Sequence, residues 1–285
     1  MIPAAFDYAR ARSLEEALVA AGTADTKVIC GGQSLIPLLR FRQARPARLV
    51  DIGYLAELRG VTVSGGAVRI GAATTYRELL ASRELRAAMP LVPEVAETIA
   101  DLQVRNLGTI GGALVHADPY ADMPAAMLAL DATFHLQSSR GARTVAARQF
   151  FRGPFQTAME SGELLLAIEV PALPSGTGSA YATFTQLASG YVVVGAAAVV
   201  TRSAGRGIVG ASLAFTGLAQ TPFLSAAASS LTGTAGDEGA VHRAAFEAVQ
   251  GVDAKVDIHA GAAYRLHLGE IAARRALLAA IARSM

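Results

Sequence analysis

Two short segments, each with a pair of adjacent glycines, most constrain how this 285-residue chain can fold. The first, GGQS at residues 31–34, follows the buried-strand pattern of residues 27–30, and the second, TIGG at 109–112, follows a helical stretch. Because glycine lets backbone N–H groups approach an anion closely, consecutive amides in such a turn can form an anion-binding concavity. The two segments could grip the two phosphates of a dinucleotide from opposite sides, although spacing alone favours ordinary tight turns.

Charge and hydropathy exclude several classes of protein. Lys and Arg total 25 against 23 Asp and Glu, and neither sign forms a run; this balance argues against nucleic acid as a partner. Although 52% of the residues are hydrophobic, the longest apolar stretch is residues 191–200, far short of the roughly 20 residues that span a bilayer. The N-terminal residues contain no apolar signal core behind a basic start. We therefore expect a cytoplasmic protein with no transmembrane segment.

A single cysteine, Cys30, limits the cofactors that this chain can hold alone. One cysteine cannot form an intramolecular disulfide, a cysteine-ligated iron–sulfur cluster or a structural zinc site. Its position beside a glycine turn favours a small buried apolar residue over a reactive thiol. If electrons reach this chain through iron–sulfur clusters, another chain must carry those clusters.

The order of predicted helices and strands indicates an α+β protein. Ser13 and Glu16 have the spacing of a capping box at the start of a short helix. Pro90 and Pro93 are expected to interrupt a later helical stretch. Periodicity predicts strands at 27–30, 48–52, 67–72, 164–170, 192–201 and 208–218, and helices at 84–101, 121–130, 238–250 and 260–281.

A change of composition near residue 175 predicts a domain boundary. The segment PSGTGS at 174–179 is rich in residues that interrupt helices and strands. We therefore predict a larger N-terminal domain, 1–175, and a smaller C-terminal domain, 176–285. In the second domain, a polar hairpin at 202–207 is expected to join two strands.

The segment HADPYAD at residues 116–122 admits three interpretations. Histidine and aspartate can both be metal ligands. Asp118 followed by Pro119 also has the pattern of a helix N-cap, and local pattern favours this capping interpretation. In the third interpretation, a carboxylate here accepts hydrogen bonds from ribityl hydroxyls or from the edge of a flavin ring. Local sequence does not decide among the three.

Common catalytic motifs are absent from the sequence. It contains no Walker phosphate loop, no Gly-x-Ser-x-Gly and no His-Glu-x-x-His. His135, His242, His259 and His267 show no ligand or acid–base spacing. Tyr191 lies at a strand entrance, where its ring is either a half-buried packing residue or a cover for a flavin face. We therefore name no catalytic residue and no metal site.

The two glycine segments and residues 116–122 resemble the flavoprotein subunits of the xanthine dehydrogenase and carbon monoxide dehydrogenase family. The similarity extends over nearly the whole chain, and its segments occur in family order. They are CGGQSLIPLLRFRQARPARLVDIG at 30–53, RIGAATTYREL at 69–79, QVRNLGTIGGALVHADPYADMPAAMLALDA at 103–132, ELLLAIEVP at 163–171 and AYRLHLGEIAARRAL at 263–277. The resemblance implies a two-part FAD-binding domain of the vanillyl-alcohol oxidase type, with subdomains of about 1–55 and 56–175, followed by a smaller α+β C-terminal domain.

Carried over by position, the resemblance also implies an FAD site. The first glycine segment should wrap the pyrophosphate and ribityl chain, and the second should match it from the other side. Asp122 falls where the family holds the flavin with an aspartate, with Asp118 as a weaker candidate, while Ile99 and Leu165 match apolar positions near the ring. The implied cofactor-binding residues are Val28, Ile29, Cys30, Gly31, Gly32, Gln33, Ser34, Leu35, Ile99, Thr109, Ile110, Gly111, Gly112, Ala113, Asp118, Asp122, Leu165 and Tyr191.

One segment departs from the family pattern. Residues 184–191 lack the basic residue usually found near Thr185 and the aspartate usually found at Gly190, although Tyr191 is retained. A cation beside a flavin favours its anionic reduced form, so its loss should alter redox behaviour more than binding. Cys30, where the family commonly has alanine, is a mild change of size.

The function implied by the resemblance is an electron relay. FAD in this chain would pass electrons from the iron–sulfur clusters of a small partner to an external acceptor, while a large partner with the molybdenum cofactor oxidises substrate. The assembly would be a dimer of heterotrimers, with NAD, oxygen, quinone or a carrier protein as acceptor. The runner-up is a free-standing FAD-dependent oxidase or reductase of the same fold. A hydrolase with His116, Asp118 and Asp122 as metal ligands and a non-catalytic interaction module are more distant alternatives.

Overall fold

The structure, a computed structural model, describes residues 2–205 and 207–284. The first elements are β1 Asp7–Arg10, α1 Leu14–Ala21, β2 Thr26–Ile29, α2 Leu35–Arg40 and β3 Arg48–Asp51. The three strands form a parallel sheet in the order β1-β3-β2. As predicted, Ser13 caps α1 by accepting a hydrogen bond from the backbone N–H of Glu16. The sheet has its own small core, in which Ala17 and Val50 are buried.

The next part of the chain is built on a five-stranded antiparallel sheet. After a short 3₁₀ helix at Ala56–Leu58, its elements are β4 Val61–Ser64, β5 Ala67–Gly71, α3 Tyr76–Ala81, α4 Arg83–Ala88, α5 Leu91–Thr98, α6 Leu102–Leu107, α7 Ile110–His116, α8 Met123–Ala129, β6 Thr133–Ser138, β7 Gly141–Ala146, α9 Ala147–Phe150, β8 Phe151–Gly153, β9 Gln156–Thr157 and β10 Leu164–Pro171. The strand order is β4-β5-β10-β6-β7, and β8 pairs with β9. Helix α8 is buried along its whole length, so this sheet and its helices enclose one large core.

The last part of the chain is a four-stranded antiparallel sheet backed by two helices. Its elements are β11 Thr177–Thr185, β12 Val192–Arg202, β13 Ile208–Thr216, β14 Phe223–Ser225, a 3₁₀ helix at Ala226–Leu231, α10 Glu238–Glu247 and α11 Ala262–Arg283. The strands follow one another in chain order, β11-β12-β13-β14.

Strand β12 is buried on both faces. Ala196 and Ala198 pack in the core formed with α10 and α11, whereas the alternating neighbours Ala197 and Val199 pack in the large core of the preceding part. Because side chains alternate between the two faces of a strand, this double burial explains why β12 is a continuous run of small apolar residues. The C-terminal sheet is therefore packed directly against the structure that carries the glycine segments.

The α+β class is confirmed, but two local predictions were wrong. Pro93 does not interrupt a helix, because it lies in the first turn of α5, where its missing N–H breaks no helical hydrogen bond. Asp118 does not cap a helix either. Its carboxylate accepts a hydrogen bond from the backbone N–H of Tyr120 at 2.9 Å, within a turn, and the next helix begins only at Met123.

Other differences concern elements that the patterns did not show. Strands β6, β7 and β11 were not predicted, and the second glycine segment starts helix α7. The predicted hairpin at 202–207 includes Arg206, which lies outside the described residues. A loop at 172–176 separates β10 from β11, and the domain boundary near 175 stays a prediction. Among the described residues, no helix is both long and apolar enough to cross a membrane.

Candidate cofactor site

The first glycine segment connects β2 to the short helix α2. The backbone of Ile29 accepts a hydrogen bond from Ile52 N–H at 2.9 Å, which fixes the end of β2 beside β3. Gly32 then has a φ of +73°, a left-handed conformation that favours glycine. Within residues 2–205 and 207–284, the backbone N–H groups of residues 32–35 have no acceptor. A run of free amides next to a left-handed residue is the arrangement that binds anionic oxygens.

The first glycine segment touches the chain immediately before the second one. Gly31 lies so close to the backbone of Leu107 that a Cβ atom on Gly31 would be 2.1 Å from the Leu107 carbonyl oxygen. The same Cβ would also approach Gly108 Cα to 3.0 Å. Only a glycine fits at this contact, since real Cβ atoms do not come so close to backbone. The expectation that the two segments come together in the fold therefore agrees with the geometry.

The second glycine segment differs from the first because its amides are already bonded. Ile110 N–H donates to Thr74 O at 3.1 Å, and Gly111 N–H donates to Ala72 O at 2.9 Å. Gly112 N–H donates to the Thr109 hydroxyl, which caps α7. The free-amide expectation therefore fails for this segment. It offers instead a surface without bulky side chains at exposed Gly112 and partly buried Ala113.

The Asp122 side chain is buried and forms hydrogen bonds with two other side chains. Only 6% of it is exposed, and its Oδ1 accepts hydrogen bonds from the Tyr181 hydroxyl at 2.8 Å and from the Thr98 hydroxyl at 3.3 Å. Its Oδ2 has no hydrogen-bond donor among the described residues. Burial, with no cation alongside, raises the pKa of Asp122 to about 7 although both hydroxyls act to lower it. This carboxyl can therefore be ionised or protonated near neutral pH.

Asp118 and Tyr191 lie beside a second buried polar group. The Tyr191 ring packs edge-on against Tyr120, with centroids 5.6 Å apart, and the Tyr120 hydroxyl donates to Asp257 at 2.7 Å. Asp257 also pairs with Arg265, which is fully buried. These donors hold the pKa of Asp257 far below its usual value despite the cost of burial. Tyr191 remains half exposed, so one side of its ring is available to a ligand.

The predicted apolar positions divide into two kinds. Leu165 and Ile110 are buried in the large core, so their side chains contribute to packing. Ile99 is partly exposed at the end of α5, and its backbone is held by Arg105, which donates to Ile99 O at 2.7 Å and to Ala100 O at 2.9 Å. Val28 and Ile29 lie on β2, and Cys30, partly buried, follows them. Burial raises the pKa of the Cys30 thiol, which agrees with a packing role.

Several residues that organise the site carried no local sequence signal. Arg105 holds the backbone of Ile99, six residues away. Tyr181 and Thr98 contact Asp122 from 59 and 24 residues away, and Tyr120, which packs on Tyr191, bonds to Asp257 across 137 residues. Within the described part of the chain, no group of three His, Cys, Asp or Glu side chains is placed to hold a metal. His116 lies 4.0 Å from Asp118, and burial lowers the pKa of this histidine.

Comparison with known proteins identifies the family. Residues 4–173 match the model of the FAD binding domain in molybdopterin dehydrogenase, and residues 179–280 match the model of the CO dehydrogenase flavoprotein C-terminal domain. This chain is an FAD-binding medium subunit of the molybdenum hydroxylase family. It is 40% identical to the carbon monoxide dehydrogenase medium chain of Afipia carboxidovorans, over 100% of this chain and 99% of that one.

Solved structures agree with this family assignment. The carbon monoxide dehydrogenase of Hydrogenophaga pseudoflava, in a form that lacks the Mo-pyranopterin moiety of the molybdenum cofactor, matches with a TM-score of 0.95 and 38% identity over 99% of both chains. Quinoline 2-oxidoreductase from Pseudomonas putida 86 matches with a TM-score of 0.94 and 34% identity over 100% of both chains. As a member of the family, the chain is an oxidoreductase subunit that binds FAD and assembles with large and small partner subunits. Nothing in these comparisons favours a free-standing oxidase or reductase.

Proposed function

We propose that the first glycine segment is the principal FAD-binding element of this electron-transfer subunit. The observation that carries the proposal is the run of backbone amides at residues 32–35 that have no acceptor among the described residues, at a loop that touches the chain just before the second glycine segment. Free amides fit the FAD pyrophosphate, because each N–H can donate to a phosphate oxygen and the concavity needs no positive side chain. FAD, when bound, supplies a ring that takes up and releases electrons one or two at a time.

The remaining groups would orient the cofactor. Gly112 and Ala113 present a surface without bulky side chains, so a ligand can approach the backbone closely at that point. The free oxygen of Asp122 can accept a hydrogen bond from a hydroxyl or ring N–H of the flavin part. Ile99 and Tyr191 offer apolar and aromatic surface that would exclude water from the ring. Val28, Ile29, Cys30, Gly31, Gln33, Ser34, Leu35, Thr109, Ile110, Gly111, Asp118 and Leu165 complete the proposed set, with Ile110, Gly111 and Leu165 acting as packing beneath it.

Residues 185–191 are expected to influence the reduction potential of the bound flavin. Gly190 has a φ of +72° and lies beside Ala100, and no residue from 185 to 191 is charged. Loss of the basic residue and the aspartate common in the family therefore removes charge from a loop next to the proposed ring position. Since a nearby cation favours the anionic reduced flavin and a nearby anion disfavours it, we expect the loss of both charges to change the reduction potential relative to members that keep them.

The finer points of assembly rest on the family pattern. We propose a cytoplasmic dimer of heterotrimers, in which a small partner's iron–sulfur clusters deliver electrons to FAD and an external acceptor removes them. The single cysteine of this chain supports the division of cofactors, because the clusters need cysteines from another subunit. Substrate oxidation belongs to the large partner, so this chain needs no general base or nucleophile.

The experiment is an FAD-retention assay on two matched variants. Gly32→Asp places a carboxylate among the free amides, whereas Gly65→Asp makes the same change in an open turn with a φ of +59°. After addition of FAD and desalting, we expect the wild type and Gly65→Asp to keep a reducible FAD absorption band and Gly32→Asp to lose it. Retention of FAD by a folded Gly32→Asp variant would contradict the proposed site.

A further inference from the structure

The hydrogen bond between Tyr181 and Asp122 joins two parts of the molecule. Tyr181 lies on β11 of the C-terminal sheet, whereas Asp122 immediately precedes α8. The Tyr181 hydroxyl donates to Asp122 Oδ1 at 2.8 Å, and the Thr98 hydroxyl makes a longer contact of 3.3 Å to the same oxygen. One carboxylate oxygen is thus occupied by the protein. The other is left without a donor in the described residues.

Gly195 makes this hydrogen bond possible. It lies on the neighbouring strand β12, opposite Thr183, and a Cβ atom at Gly195 would be 2.1 Å from the Tyr181 hydroxyl oxygen and 2.8 Å from Cζ. Any larger residue would therefore displace the hydroxyl from its position. The φ of Gly195 is not left-handed, so glycine is needed here for space rather than for backbone conformation. Strand β12 therefore has space at Gly195 for the hydroxyl end of the Tyr181 ring.

The main chain of Tyr181 is fixed independently of its hydroxyl. Tyr181 N–H donates to Glu94 Oε1 at 3.1 Å, and the other oxygen of Glu94 accepts from Arg283 at 2.6 Å. Arg283, near the end of α11, also donates to Ser179 O at 2.7 Å. Because the backbone and the hydroxyl of Tyr181 are held by different groups, the hydroxyl has little freedom to move.

Tyr181 keeps its proton near neutral pH, whereas Asp122 can be either protonated or ionised there. Burial and the nearby Asp122 raise the pKa of Tyr181 well above its usual value, so the phenol keeps its proton. Asp122 has no cation beside it. The titratable groups that face it are Tyr181 from β11 and Tyr76 from α3, with the non-titrating Thr98 from the end of α5. Tyr181 therefore remains a donor over the pH range in which Asp122 changes its charge.

We propose that Tyr181 is a positioning residue that holds one oxygen of Asp122 so that the other is presented to the flavin. This inference rests on the proposed role of Asp122 as a ligand of FAD. It assigns the C-terminal sheet a direct part in forming the flavin site, through a single hydroxyl. Removal of that hydroxyl should weaken FAD binding and also change the pH at which Asp122 ionises.

The test measures FAD affinity of the full-length chain from pH 5.5 to 9 by quenching of flavin fluorescence. For the wild type, affinity should increase as Asp122 ionises, because a carboxylate is a stronger acceptor than a carboxylic acid. In Tyr181→Phe, loss of a donor to the carboxylate should weaken FAD binding about tenfold at pH 8. The midpoint of the pH profile should also shift upward, because a hydrogen bond that favours the ionised form is gone.

Two further variants separate positioning from packing. Tyr76→Phe removes a hydroxyl from another buried tyrosine that makes no hydrogen bond to Asp122, and it should keep the wild-type midpoint. Gly195→Ala keeps the tyrosine but displaces its hydroxyl, and it should shift the midpoint in the same direction as Tyr181→Phe. Far-ultraviolet circular dichroism of each apo variant confirms that the chain is folded. A wild-type midpoint in folded Tyr181→Phe would overturn the inference.

Asp122→Asn distinguishes this inference from the proposal on which it rests. If Asp122→Asn loses the pH dependence while Tyr181→Phe keeps the wild-type profile, Asp122 is a ligand but Tyr181 does not position it. If Asp122→Asn binds FAD with the wild-type profile, Asp122 is not a ligand and the inference fails with it, although FAD binding stands. If the wild-type chain binds no FAD at any pH, both the proposed site and the inference are contradicted.

Discussion

The two glycine segments have similar composition but opposite hydrogen-bonding states. At residues 32–35 the amides have no acceptor in the part of the chain that the structure describes, whereas at residues 110–112 each amide donates to an oxygen of the protein itself. The first segment therefore keeps its polar groups available for a ligand, and the second uses them to attach α7 to the structure around Ala72 and Thr74. Adjacent glycines in a sequence thus indicate close backbone approach, but they do not show whether the approaching group is a ligand or another part of the chain.

The same contrast holds for the groups that follow each segment. The first segment leads into the short helix α2, whereas the chain after the second leads to Asp122, a buried carboxylate held by Tyr181 and Thr98. The first glycine segment therefore leaves its backbone amides available to a ligand, whereas Asp122 is held in place by other residues of the chain. The variants below test whether that division is real.

The largest effect should come from Asp122→Asn in the apo chain. The pKa of Asp122 is raised from 3.8 to about 7 in the folded state, so the folded chain binds more protons than the unfolded chain between these values. Its contribution to the free energy of unfolding is thus fully present below about pH 4 and is lost as the pH rises through 7, up to about 4 kcal/mol. Urea unfolding of wild type and Asp122→Asn at pH 5 and pH 8 measures it. An equal difference between the two proteins at both pH values would contradict the prediction.

Gly111→Ala should destabilise the chain by about 3 kcal/mol, because overpacking against a rigid backbone is costly. The new Cβ would lie 2.5 Å from both Cβ and the carbonyl oxygen of Ala72. Gly210→Ala is the matched control, since a Cβ there meets nothing within 4 Å. Urea unfolding of the two apo variants gives the comparison. A Gly111→Ala variant as stable as Gly210→Ala would show that the second segment is not a packing contact.

Gly32→Ala should reduce FAD binding more than it reduces stability. A non-glycine residue in the left-handed region costs about 1 kcal/mol, and the new Cβ would meet only side-chain ends, those of Ile36 at 2.8 Å and of Ile29 at 3.2 Å. Stability should therefore fall less than in Gly111→Ala. FAD affinity, measured by flavin fluorescence, should fall at least tenfold. Normal FAD binding by this variant would remove the functional contrast between the segments.

Thr98→Val should have the smallest effect. Its 3.3 Å contact to Asp122 is longer than the 2.8 Å bond from Tyr181, so its loss should change the free energy of unfolding by only about 0.5 kcal/mol. Urea unfolding at pH 8, where Asp122 is ionised, is the appropriate measurement. A loss larger than that caused by Tyr181→Phe would mean that Thr98, not the C-terminal sheet, fixes the carboxylate.

Much of the fold could be predicted from local pattern, because long apolar runs and cap spacings are local properties. The strand before Gly31, the Ser13 cap and helix α11 all have such signals. Pro93 was misread because proline is tolerated in a first helical turn, and the turn position of a residue depends on where the helix begins. Strand β11 was missed because its first residues belong to the glycine- and serine-containing stretch 174–179, whose composition resembles a linker.

The organisation of the site could be predicted only in part. The glycine segments, Asp122 and Tyr191 were found from motif resemblance, which identifies residues but not their partners. The role of Gly111 depends on Ala72, and that of Asp122 depends on Tyr181, 59 residues away in sequence. Such contacts are set by the packing of whole sheets and have no fixed spacing. For the same reason, nothing in the sequence indicated that the amides of the second segment would be used internally.

Amide NMR of the ¹⁵N-labelled chain with and without FAD tests the central claim most directly. If the first segment holds the cofactor, the amides of residues 32–35 should shift and become protected from hydrogen exchange when FAD binds. The amides of residues 110–112, already bonded within the protein, should be protected before FAD is added and should gain little. New protection at 110–112 with no change at 32–35 would contradict the assignment of ligand binding to the first segment and packing to the second.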